Sequence, residues 1–194
     1  MRRRKQGRIK VAFDLDGCLV DLRSVICQEF NAWTGKQLTV PDIDVYDLEG
    51  LWELKGMDYS ARIEAVWRRW REVDICDGAG DLLHKLYELT GDPPRIVTSR
   101  DSFAASDTHA LVDRFLDIPY ILIFSKGDKQ RFLKEYPFMV EDKGSEAISL
   151  TYSGKTVFLC SQPYNQGFKN SKIHRINGVK DLFPILSLLV EEGE

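Results

Sequence analysis

Five short apolar runs, at residues 9–13, 95–98, 120–124, 138–140 and 156–159, are bounded by turn-forming residues and lack the alternation of a half-exposed strand. A strand without a polar side is covered on both faces, the situation of central strands in a parallel sheet. Helix-period patterns lie between most of these runs. Residues 80–89 put Leu82, Leu83, Leu86 and Leu89 on one face and stop at Gly91-Asp92-Pro93-Pro94. Residues 108–116 carry Leu111, Val112, Phe115 and Leu116; the patterns at 130–136 and 146–150 are shorter, and 179–189 closes the chain. Strand alternating with helix builds right-handed βαβ units, so an α/β fold with a Rossmann-like parallel sheet is predicted.

One interval breaks the rhythm. About eighty residues separate the first two runs, far more than a crossover helix needs. Asp21 is placed to cap a helix striped by Leu22, Val25, Ile26, Phe30 and Trp33, and Ser60 to cap another with Ile63, Val66, Trp67, Trp70 and Val73 at helical spacing. We read 22–77 as a small helical cap inserted after the first strand, 9–21 and 78–194 as the core, and 1–8 as a basic tail. All four tryptophans (Trp33, Trp52, Trp67, Trp70) fall in the insertion. They either build its own core or line a ligand cleft against the sheet; Trp33, Trp52 and Tyr59 are candidates to stack on a substrate.

Charge and cysteine usage narrow the class. Six of the 27 Lys and Arg lie in the first ten residues, leaving 21 against 30 Asp and Glu in the remainder. A negative body argues against nucleic-acid wrapping, although the basic start allows a weak tether. No stretch approaches a membrane span, and no apolar segment of the kind found in secretory signals follows the basic start. Cys18, Cys27, Cys76 and Cys160 form no CxxC pair, so a reducing, cytoplasmic setting is expected, without a zinc or disulfide framework. His84, His109 and His174 show no ligand spacing, and neither a G-x-S-x-G elbow nor a P-loop occurs.

Chemistry concentrates where strands end. Val11-Ala12-Phe13 runs directly into Asp14-Leu15-Asp16-Gly17. In an open parallel sheet ligands bind at the carboxyl ends of strands, and Gly17 permits a tight turn that aims both carboxylates at one point. Two close carboxylates repel, so they share a proton or hold a cation; oxygen-only ligation favours Mg2+ over calcium. Other runs end similarly, in Thr98-Ser99-Arg100, in Ser125-Lys126-Gly127-Asp128-Lys129, and in Glu141-Asp142.

In order, these segments resemble the four motifs of the haloacid dehalogenase-like (HAD) phosphohydrolases over nearly the whole chain. The segment around Glu141-Asp142, together with Gln162-Pro163-Tyr164-Asn165, is similar to the 5'(3')-deoxyribonucleotidase type. The resemblance implies a magnesium-dependent phosphatase. Asp14 is then the nucleophile that becomes an aspartyl-phosphate, and Asp16 the general acid and base. Mg2+ is held by Asp14, the main-chain carbonyl of Asp16, Asp142 and, directly or through water, Glu141. Thr98, Ser99 and Lys126 bind the phosphate, with Lys129 as the alternative lysine. Arg100 either reaches the substrate or pairs with Asp101 or Asp107, and Trp33 is a candidate for the leaving group. Cys18 reads as a small buried thiol. A 5'-nucleotidase acting on nucleoside monophosphates is the expected activity, a phosphatase for a sugar phosphate or other small metabolite the alternative. A non-catalytic nucleic-acid or protein-binding module is the rival from another class.

Overall fold

The computed structural model describes residues 9–46, 48–53 and 57–185, without the side chains of 51, 52 and 57. In chain order the elements are β1 (Val11–Phe13), β2 (Val20–Asp21), α1 (Arg23–Thr34), α2 (Leu48–Trp52), α3 (Met57–Arg68), β3 (Asp74–Ile75) and α4 (Ala79–Thr90). They continue with β4 (Arg95–Thr98), α5 (Ala105–Val112), β5 (Ile121–Phe124), β6 (Phe138–Glu141), α6 (Gly144–Tyr152), β7 (Thr156–Cys160) and β8 (Ile173–Ile176). The main sheet has the order β5-β4-β1-β6-β7-β8, and every pair in it is parallel. This is the Rossmann-like α/β arrangement expected from the sequence.

The unbroken apolar character of the strands follows from coverage on both faces. Val11, Phe13, Ile96, Val140 and Phe158 belong to one buried cluster, with Leu82, Leu83 and Leu86 of α4. Their neighbours Ala12, Val97, Met139, Val157 and Leu159 belong to a second, with Ala147 and Leu150 of α6. Successive side chains point to opposite faces, so each strand feeds both cores. Strand order reverses beside β1, since β4 lies on one side of it and β6 on the other. A crevice at such a point is where open α/β sheets bind ligands.

The insertion hangs from a narrow neck. β2 and β3 pair antiparallel, Val20 with Ile75 and Asp21 with Asp74, so the chain leaves and re-enters the core at adjacent positions. Val25, Ile26 and Phe30 of α1 and Val66 of α3 are buried in the same cluster as Leu15, Leu19 and Leu83 of the core. Each such side chain contributes about 1.5–3 kcal/mol. That packing, more than the two-residue neck, holds the insertion against the sheet.

Several elements differ from expectation. Ser60 lies inside α3, which starts earlier at Met57. Leu22, not Asp21, is the cap residue of α1, although Asp21 Oδ1 still accepts the Arg23 N–H at 2.9 Å. The helix expected at 130–136 shrinks to a 3-10 turn, Gln130–Phe132, because Leu133 must turn inward, where it is fully buried. After a 3-10 turn at Val179–Asp181 the chain is helical over 182–185; the rest of the expected closing helix and the basic tail 1–8 lie outside the described residues. β8 was not anticipated. Among the described residues no helix is long and apolar enough to cross a membrane.

Candidate active site

The first strand delivers its carboxylates through a turn wound around one carbonyl. The Leu15 oxygen accepts from Leu19 N and Val20 N at 2.9 and 3.1 Å, and Gly17 N donates to Val20 O at 2.8 Å. Gly17 has φ 75°, a conformation that side chains rarely adopt. It is also crowded, since a Cβ there would stand 2.2 Å from Asp142 Oδ2. Asp14 is fixed by its own N–H donating to Val140 O at 2.8 Å and by Leu15 N donating to Asp14 Oδ1, also at 2.8 Å.

Asp14, Glu141 and Asp142 each offer one oxygen, and these oxygens lie within 4.8 Å of one another. All three are buried. Burial and the charge of Glu141 push Asp14 well above the usual carboxylate range. Burial, then Glu141 again, pushes Asp142 up to about 8, against the pull of Tyr164 and Lys129. Lys129 is the counter-charge, 2.8 Å from Asp14 Oδ2 and 2.8 Å from Glu141 Oε2. Burial opposes its positive charge, but Asp14 and Glu141 outweigh burial and hold it protonated. Glu141 is itself buried, yet Lys129 keeps it below its usual value. Three carboxylates crowd one ammonium in a dry site, and without a cation their mutual repulsion makes Asp14 and Asp142 hold protons more tightly than usual. That crowding and the all-oxygen donor set fit a hard divalent cation.

Of the two candidate lysines, the structure brings Lys129 and not Lys126 to the carboxylates. Lys126 is 80% exposed at its side chain and pairs with Asp101 at 2.6 Å, away from the carboxylates. Gly127, at φ 89°, reverses the chain between the two lysines and leaves Lys129, at the start of the 3-10 turn, facing inward.

Asp16 stands apart from the three-carboxylate group. Arg100 grips it with Nη2 on Oδ1 at 2.6 Å and Nε on Oδ2 at 2.9 Å, a two-pronged charge-assisted contact. Arg100 thus pairs with neither Asp101 nor Asp107, and its side chain is fully buried. Thr98 is buried at the end of β4 and accepts the Arg100 N–H at 3.2 Å, which leaves its own O–H to donate. Ser99 beside it is exposed to the cavity.

A cavity of about 310 Å³ lies over these groups, with Asp14, Asp16, Ser99, Arg100 and Asp142 among its lining. The insertion supplies an apolar wall that includes Ile63, Val66 and Trp67, with Tyr46 and Tyr59. Of the tryptophans whose side chains are described, only Trp67 is among these lining residues; it meets Phe103 at 5.8 Å between centroids. Trp33 does not line this cavity. It sits 40% exposed on the outer side, with the Arg62 guanidinium 5.3 Å over its ring, because helical spacing from Phe30 carries it past the buried stripe. The Trp52 side chain lies outside the described residues. Trp70 packs partly against the core under Arg71. Cys18 is a buried free thiol. Tyr46 is marked by no spacing in the sequence, and Tyr164 enters the sequence reading only within the Gln162-Pro163-Tyr164-Asn165 segment, without a role of its own.

No protein-family model and no curated protein matches the sequence. Solved structures do. A HAD hydrolase of family IA, variant 3, from Entamoeba histolytica superposes with a TM-score of 0.65 at 17% identity, covering 94% of this chain and 99% of that one. A HAD-family hydrolase from Deinococcus radiodurans, with bound phosphate and sodium, gives 0.63 at 16% identity, over 94% and 97%. A candidate β-phosphoglucomutase from Thermotoga maritima gives 0.59 at 14%, over 93% and 99%. The chain has the HAD hydrolase fold. At such identities the likeness is one of fold.

Proposed function

We propose that this chain is a magnesium-dependent phosphomonoester hydrolase working through a phosphorylated Asp14. The observation that carries the reading is the meeting of Asp14, Glu141 and Asp142 around Lys129 at the carboxyl ends of adjacent parallel strands. Asp14, Asp142 and the Asp16 carbonyl would hold Mg2+, and when bound it would supply the charge neutralisation that lets an anionic carboxylate approach an anionic phosphate. Both Glu141 oxygens are engaged, Oε2 by Lys129 and Oε1 by the N–H groups of Asp142 and Lys143, which supports contact through water.

Asp14 attacks phosphorus, the bond from phosphorus to the alcohol oxygen breaks, and the electron pair leaves with that oxygen. Asp16 donates the proton that the alcohol takes up. Water then attacks the aspartyl-phosphate, Asp16 accepts its proton, and Asp14 is regenerated as phosphate departs. Arg100 engages both Asp16 oxygens, so that pair must loosen before Asp16 can turn to a leaving group. Thr98 and Ser99 offer hydroxyls to the phosphate, and Lys129 takes the role first given to Lys126.

For the alcohol, similarity to a candidate β-phosphoglucomutase supports a sugar phosphate or another small metabolite over a nucleotide. Tyr46, Tyr59 and Trp67 give the cavity flat faces that suit a ring, and do not require a base. The test is phosphate release from sugar phosphates, nucleoside monophosphates and p-nitrophenyl phosphate, with Mg2+ and with EDTA. Magnesium-dependent release, fastest among natural esters for a sugar phosphate, is expected. Absence of release from every ester overturns the reading.

A further inference from the structure

The turn after β7 reaches a carboxylate of the acidic cluster through the side chain of Tyr164. We infer that Tyr164 is a positioning residue for the cation, its hydroxyl holding the Asp142 carboxylate where Asp14 and Glu141 can share an ion with it; this rests on reading those three as the magnesium site.

The Tyr164 O–H donates to Asp142 Oδ2. That oxygen is confined from the other side, because only the missing side chain of Gly17 leaves room for it. Asp142 is thus held between a donor and a backbone wall, and its orientation is set before any ion arrives. Partners of this kind, one bond removed from the ion, fix ligand orientation and typically govern affinity by about 10- to 100-fold.

The turn presenting Tyr164 is itself pinned. Asn165 is fully buried and donates from Nδ2 to Asp142 O at 2.6 Å and to Cys160 O at 2.7 Å. Arg175 of β8 donates to Asn165 Oδ1 at 3.0 Å, and Gln162 Nε2 reaches Gly17 O at 3.1 Å. The turn therefore ties the loops after β1, β6 and β7 together. Its tyrosine also meets the insertion, since the Tyr46 ring stands edge-on to Tyr164 at 5.6 Å and 74°. A turn serving only to end β7 would need Asn165; it would not need a phenol on a carboxylate.

The test is calorimetric titration of Mg2+ into EDTA-stripped full-length protein without substrate, for the parent, Tyr164→Phe and Asp142→Asn. Tyr164→Phe keeps the ring and removes only the donor. We expect its Mg2+ dissociation constant to rise about tenfold or more, with thermal unfolding in EDTA little changed. In turnover, the Mg2+ concentration for half-maximal rate should rise equally, while KM for the ester at saturating Mg2+ stays put. A dissociation constant within about twofold of the parent overturns the inference, as does a loss of rate that persists at saturating Mg2+. If Asp142→Asn binds Mg2+ like the parent, the metal-site reading itself falls, and with it this one. If Asp142→Asn loses binding and Tyr164→Phe does not, only the role of Tyr164 fails.

Discussion

Replacing Lys129 with Met keeps the length of the side chain and deletes its charge, which isolates what the ammonium does. The nitrogen sits 2.8 Å from both Asp14 and Glu141, and the residue is 3% exposed. Solvent screening is therefore slight, and removal of one partner leaves buried carboxylates uncompensated. Breaking a buried pair in this way costs about 3–5 kcal/mol. Two carboxylates lose their partner together, so the upper part of that range is expected in EDTA. A divalent cation supplies the missing positive charge, so excess Mg2+ should return part of the loss. Urea unfolding with and without Mg2+ measures both quantities, and turnover should fall about 10²- to 10³-fold even at saturating Mg2+, as when a preorganised donor to the phosphate is lost. Lys126→Met is the control, since that side chain is in solvent and should change neither property. An unchanged urea midpoint in EDTA for Lys129→Met, or loss of turnover on Lys126→Met, would refute the assignment.

The other predictions concern the carboxylates around this lysine. Asp14→Asn should abolish turnover yet leave metal-free unfolding no easier than in the parent, because it removes a buried carboxylate whose proton affinity is already raised; circular dichroism and urea unfolding check this. Asp142, raised from 3.8 to about 8, binds its proton more tightly folded than unfolded. In EDTA its contribution to stability is therefore fully present below about pH 4 and declines as pH rises to about 8, then levels; unfolding between pH 5 and 9 should show that slope, and saturating Mg2+ should flatten it. Asp16→Asn should slow alkyl phosphates more than p-nitrophenyl phosphate, whose leaving group hardly needs an acid, and equal losses on both would remove Asp16 as the proton donor. Gly17→Ala places a methyl against Asp142 Oδ2 in a left-handed conformation and should weaken Mg2+ binding along with stability, measured by titration and thermal unfolding.

The sheet was legible because β1, β4, β6 and β7 are buried on both faces and so carry uninterrupted apolar letters between turn signals. β8 was not, because His174 and Arg175 interrupt its apolar pair and, among the described residues, one side of it has no neighbouring strand. The β2–β3 ribbon is two residues long on each side, too short for any period to register. At the site, strand-end position was enough to single out Asp14, Thr98, Glu141 and Asp142, since a parallel sheet brings those ends together whatever the loops do. The lysine was not settled that way. Lys126 and Lys129 share one loop, and which of them turns inward depends on the backbone reversal at Gly127. Tyr164 was hidden more deeply, because its partner lies 22 residues earlier and the contact arises only when β6 and β7 pair side by side. Trp33 shows the converse error. Its spacing from Phe30 reads as one stripe, but that stripe is narrower than the run of apolar letters suggests.

The claim that Asp14 becomes phosphorylated is open to direct measurement. Acid-quenched turnover of p-nitrophenyl phosphate with Mg2+, followed by mass spectrometry of the peptide containing Asp14, should show a phosphoryl group on that residue within the first turnovers and none in Asp14→Asn. Turnover with no phosphoryl group on Asp14 at any quench time, or continued at the parent rate by Asp14→Asn, would contradict the account.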